Sequence, residues 1–164
     1  MEIFIHEVIE SLLFNTKWEE PFMGDPLVKR VADILRIRIP QLEGENIRDF
    51  ELLEARLPTS GWDWLEETLV STFDVESPSN ASNDLKLWGR LIAFISFAIY
   101  VYGRRNQNSS SRPLKLETFV AILSHAIYSR GPQQLRLRDS WEKFPILFSD
   151  PESGKLMTNL TKGL

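Results

Sequence analysis

The sequence contains no cysteine. Disulfide scaffolds, thiolate metal sites and cysteine nucleophiles are thereby excluded, stability is left to packing, and a reducing compartment is favoured. Surplus positive charge is also missing. Nineteen Lys and Arg stand against 23 Asp and Glu, a formal net charge of −4, so no broad field attracts nucleic acid or anionic lipid. Glycine (8) and proline (9) are sparse, no segment repeats or is of low complexity, and no period-two alternation is long enough for a strand. Neither a phosphate-cradling glycine loop nor a nucleophile triad occurs, so no catalytic residues are expected.

The ends lack obvious addresses. Met1 to Glu7 carries acid where a secretion signal needs base, and 155–164 is polar and far short of the ~20 apolar residues of a span. Neither secretion nor a tail anchor is expected, which favours the cytoplasm. Glycosylation-like triplets begin at Asn80, Asn108 and Asn159; without a signal they read as chance matches to a short pattern. His6-Glu7-Val8-Ile9-Glu10 falls one histidine short of a His-Glu-x-x-His zinc site, and the other histidine is His125. A metal-dependent helical enzyme is therefore a weak alternative, and neither metal nor cofactor is expected.

What is present is helical periodicity. With 164 residues and 43% hydrophobic content, the chain is the size of one domain with a genuine core. Ile5, Val8, Ile9 and Leu12 predict a first helix from about Glu2 to Phe14. Asn15 to Gly24 interrupts it. Asp25-Pro26 is a helix start, and Val28, Val31, Ala32, Leu35 and Ile39 form the stripe of a second helix that Pro40 is expected to end. Ile47, Phe50, Leu53 and Leu57 suggest a short third helix closed by Pro58. Ser60 then offers a cap for a fourth carrying Trp62, Leu65, Leu69 and Phe73.

Glu76 to Asn83 reads as a solvated connection. From about Asp84 to Tyr102 runs the most apolar stretch; its 12-residue heart, Leu91 to Tyr102, is hydrophobic all round yet too short for a convincing membrane span. Such a helix belongs inside a bundle of amphipathic neighbours. Gly103 is its expected terminator, with Arg104 and Arg105 as favourable charge at the end. A helix opening at Pro113 carries Leu116, Phe119, Val120, Leu123 and Ile127 up to Gly131-Pro132. A C-terminal helical pair follows, with Leu135, Leu137, Trp141 and Phe144, then Ile146, Leu147 and Phe148 beyond Pro145. The fold class is all-α.

Leu87-Trp88-Gly89-Arg90-Leu91-Ile92-Ala93-Phe94 resembles the first homology motif of the Bcl-2 family, Asn-Trp-Gly-Arg-hydrophobic-hydrophobic-Ala-Phe. Asp139-Ser140-Trp141-Glu142-Lys143-Phe144 resembles the second, normally Gly-Gly-Trp-acidic-x-Phe, in the family's order and spacing. Val28-x-x-x-Ala32-Asp33-Ile34 resembles a degenerate third (BH3) motif, and the first helix occupies the place of the fourth. Leu87 replaces the usual Asn, Asp139-Ser140 replaces the glycine pair, and the connection before Leu85 is longer than usual. The missing long loop and anchor make the chain most similar to viral pro-survival homologues.

The resemblance implies a single Bcl-2-like helical domain over 1–164 that inhibits apoptosis by sequestering BH3 helices of pro-apoptotic proteins, in the host cytosol or peripherally at mitochondria. By resemblance, the partner-binding residues are Phe50, Leu53, Leu65, Leu69, Gly89, Arg90, Ile92, Ala93 and Phe97. Gly89 would let a ligand helix approach closely. Arg90 offers a planar fork of donors to the conserved ligand aspartate. The bland alternatives are that the aliphatic positions are ordinary core and that Arg90 is solvated or paired with Glu66, Glu67 or Asp84. Trp88, Trp141 and Phe144 are expected as structural supports. The alternative within the same fold is a pro-apoptotic relative that permeabilises membranes with its central helix, against which the missing tail anchor counts; separately, a homodimer could bury the open groove.

Overall fold

In the computed structural model, which describes residues 1–14, 24–58, 61–73, 83–108 and 114–148, the fold is all-α with no strand among those residues. Six α-helices follow in order: α1 (Glu2–Leu13), α2 (Pro26–Ala55), α3 (Trp64–Phe73), α4 (Asn83–Asn108), α5 (Leu116–Arg130) and α6 (Arg138–Phe148), with a 3-10 turn at Gln133–Arg136 before α6. The helix α1 packs on α5 and α2, α2 on α4 and α6, and α3 on α5 and α4.

The amphipathic stripes read from the sequence point inward. Ile5, Val8 and Ile9 of α1, Val31, Ala32 and Leu35 of α2, and Phe119, Val120 and Leu123 of α5 are all buried. Within α4, Leu91 to Ala98 is buried without a break, as expected for a helix surrounded by others. Each large aliphatic side chain so buried stabilises the fold by roughly 1.5–3 kcal/mol before chain entropy is counted. The buried hydroxyls of Ser96 and Ser124 donate to the carbonyls of Ile92 (2.8 Å) and Val120 (2.6 Å) four residues back, so neither is left without a partner.

Helix boundaries depart from expectation at two prolines and one glycine. Pro40 does not end the second helix: α2 runs on to Ala55, and its non-helical residue is Asn46 (φ −120°, ψ 19°). Pro40 is exposed, so the carbonyl that loses an amide partner there can bond to water, while buried Ile39 and Leu42 hold both sides against the core. The predicted second and third helices are thus one element with a break six residues further on. The Asn46 amide spans that break by donating to Leu42 O (2.9 Å).

Gly103 likewise does not terminate α4, which extends to Asn108. Pro145 lies inside α6, so the C-terminal pair is a 3-10 turn plus one helix. Trp62 lies just ahead of α3, with its carbonyl accepting from the Leu65 amide (3.1 Å). Two signals held. Asp25 caps α2 by accepting from the Leu27 amide (3.0 Å), and α5 stops at Gly131-Pro132. The expected loop core 15–23, the Ser60 cap, Pro113 and most of the 76–83 connection lie outside the described residues.

Candidate functional site

Gly89, Ala93, Phe97, Tyr100 and Arg104 recur along α4 at three- and four-residue spacing and so share one face. The face starts narrow, with a glycine and an alanine, and broadens into two aromatic rings. Phe97 lies between two walls. On one side the Phe50 ring of α2 stands 5.5 Å away between centroids; on the other the Trp64 ring of α3 meets it edge-on at 5.7 Å. Phe50 also reaches Tyr100, at 5.7 Å.

The α2 wall is lightly held. From residue 47 to 57, Phe50 is the one buried side chain, while Ile47, Leu52 and Leu53 are exposed. A polar fastening at its far end adds to that single aromatic anchor. Arg104 pairs with Glu54 (3.6 Å), and Arg105 donates to the carbonyls of Pro58 and Gly61. Gly61 needs its missing side chain, since its φ of +87° lies in the left-handed region. The Arg105 guanidinium lies over the Trp62 ring (4.8 Å) and near Trp64 (5.8 Å); burial depresses its pKa, against the pull of Glu54. The arginine pair read as helix-end charge thus ties the end of α2, Pro58 and Gly61 to α4.

The predicted partner-binding residues divide into three groups. Phe50, Leu65, Leu69, Ile92, Ala93 and Phe97 are at most 5% exposed, Gly89 is buried and Arg90 half-buried, whereas Leu53 is exposed. Phe50 and Phe97 are in ring contact, with the Trp64 ring on the other side of Phe97. Of the acidic groups weighed as internal partners for Arg90, Glu66 pairs with Arg130 of α5 (3.4 Å).

The two motif segments meet in space. The Trp88 ring touches Trp141 at 4.9 Å and Phe144 at 5.1 Å, both edge to face. Trp141 also meets Phe4 of α1 at 5.3 Å and donates its indole N–H to Leu135 O (2.8 Å). All three supports are buried. Nearby, Arg138 grips Asp25 through two hydrogen bonds (2.7 and 3.2 Å), pairs with Glu142 (3.4 Å) and lies over the Phe4 ring (5.7 Å).

Trp64 and Tyr100 are absent from the predicted set although Trp64 meets Phe97 and Tyr100 meets Phe50. The sequence did hold a signal for Tyr100, which lies one helical turn beyond Phe97 on the same face. The histidine-glutamate segment of α1 is otherwise engaged: His6 approaches Glu10 (3.5 Å), and His125 approaches Glu2 (2.8 Å). No three acidic or histidine side chains converge as a metal set among the described residues.

Comparison with protein-family models, curated proteins and solved structures returns no match for the chain.

Proposed function

We propose that the chain binds an amphipathic helix along the Gly89–Tyr100 face of α4, and that it acts as a pro-survival Bcl-2-like protein by sequestering BH3 helices of death-promoting partners. The observation that carries this reading is the seating of Phe97 between Phe50 and Trp64, at the junction of two separate helical walls. Contact between the Trp88 and Trp141 segments adds support, because two motifs about fifty residues apart in sequence build one end of the same scaffold. A single buried side chain, Phe50, favours a wall that can be displaced, and Asn46 supplies the break about which 47–57 would turn.

In this reading the face is closed in the free protein and opened by its ligand. Ligand apolar side chains replace Phe50 over Phe97 and Ala93, and Arg90 fixes register by receiving the ligand carboxylate. Calorimetric titration of BH3 peptides into folded monomer is the test. Micromolar or tighter binding by at least one peptide is the expected outcome; no binding by any peptide overturns the reading.

A second reading has its own observation. The segment Leu85–Gln107, at 23 residues, is long and apolar enough to cross a membrane by length and composition, because α4 outruns Gly103. With 78% of its apolar window buried here, insertion would demand that the bundle unpack. Dye release from cardiolipin-containing vesicles separates the readings: the sequestering protein leaves them sealed, a permeabilising one empties them.

A further inference from the structure

Three buried polar atoms in the Phe97 region have no hydrogen-bond partner: the Tyr100 hydroxyl, the Trp64 indole nitrogen and one carboxylate oxygen of Glu54. Tyr100 is 7% exposed and Trp64 5%. Almost all buried donors in folded proteins are satisfied, so two unpaired donors, one on the ring that meets Phe97 and one a helical turn beyond Phe97 under Phe50, call for an account. Burial also pushes the Tyr100 pKa up, which keeps the hydroxyl a donor at neutral pH.

The Glu54 oxygen is an acceptor on the same wall that covers Tyr100, yet donor and acceptor do not meet. That wall therefore fits α4 through Phe50 and the Arg104 pair but leaves the Tyr100 hydroxyl beneath it unmatched, with the Trp64 indole N–H unmatched across Phe97. The wall is itself a short helix offering one aromatic side chain, so the surface under it is shaped to take a helix. A group that matched both shape and donors would be an amphipathic helix with a hydrogen-bond acceptor at the edge of its apolar face.

We propose that Tyr100 and Trp64 are specificity-determining residues, whose O–H and N–H receive acceptor side chains, carboxylate or amide, from a helix that displaces 47–57. The inference rests on the helix-binding reading and deepens it by naming what the site selects beyond apolar spacing. It differs from the Arg90 contact in chemistry, because both donors are neutral: an uncharged glutamine satisfies them as well as an acid does. A site with buried donors discriminates strongly against ligands that leave them unpaired.

The test is calorimetric titration of synthetic BH3-type peptides in which one glutamine is moved along the edge of the apolar face, each with an alanine counterpart. At one or more positions glutamine should strengthen binding to the unsubstituted protein by about tenfold. Tyr100→Phe should erase that gain, with Trp64→Phe doing so at a neighbouring position. Because Tyr100→Phe deletes an atom with no partner, its melting temperature should not fall, which separates recognition from folding. Equal gains in both variants and the unsubstituted protein overturn this inference and leave helix binding intact. If no peptide binds any of the proteins, helix binding fails and this inference with it.

Discussion

Trp88 and Trp141 meet edge to face at 4.9 Å, joining the start of α4 to α6 across the interior. Trp141 is 2% exposed, and its indole also bonds the Leu135 carbonyl. Trp141→Ala therefore removes a large core volume and a satisfied donor together. A loss of about 3–5 kcal/mol is expected, read by urea denaturation with tryptophan fluorescence; a loss under about 1 kcal/mol would mean that the motif tryptophans do not join these helices.

Asp25 links helix capping to acid sensitivity. The Arg138 hydrogen bond, opposed by partial burial and helped by the Leu27 amide and the Arg138 charge, holds its pKa below the ordinary value of 3.8. The folded state thus favours the carboxylate. Its contribution is complete above the unfolded value and is lost as pH falls through the lower folded one. Asp25→Asn keeps a capping side chain and removes the charge, so the gap from the unsubstituted protein should be full at pH 6 and close as pH drops below 3.8. Asp25→Ala also loses the cap, for a total of about 0.5–2 kcal/mol from that source alone. Equal gaps at pH 6 and pH 2.5 in denaturation experiments would rule this out.

Hydrogen exchange should divide α2 at Asn46. Amides of 27–42, with Leu27, Val28, Val31, Ala32, Leu35, Ile39 and Leu42 buried, should exchange slowly. Those of 47–57 rest on Phe50 and should exchange at least about tenfold faster. Uniform protection from 27 to 55 would remove the hinge and, with it, the displaceable wall.

Elements were legible in the sequence wherever an apolar stripe ran at helical spacing, since tertiary burial acts on that same pattern. The stops at Pro40 and Gly103 were misread because local propensity was outweighed from both sides. Pro40 turns its ring to water between buried Ile39 and Leu42. Gly103 is followed by Arg104 and Arg105, whose contacts with Glu54, Pro58 and Gly61 lie on residues far back in the chain. Just before it, Tyr102 stacks on Phe119 at 4.3 Å and donates to Leu114 O (2.8 Å).

Within the site, Phe50 and Phe97 were each named through the family resemblance, and their contact is visible only in the fold. The orphaned donors of Tyr100 and Trp64 were not legible, because sequence reports which groups are polar and only packing reports which lack a partner. Leu53 shows the complementary limit: its place in the stripe predicted an inward face, but of Ile47, Phe50, Leu53 and Leu57, all beyond the break at Asn46, Phe50 alone is buried.

The most direct measurement is a double-mutant cycle by calorimetry, pairing Arg90→Ala with loss of the aspartate from a BH3 peptide that binds. Each single change should cost about 2–5 kcal/mol, and the second should cost little once the first is made. If Arg90→Ala leaves affinity unchanged, or the two losses simply add, the guanidinium does not set the ligand's register and the account is contradicted.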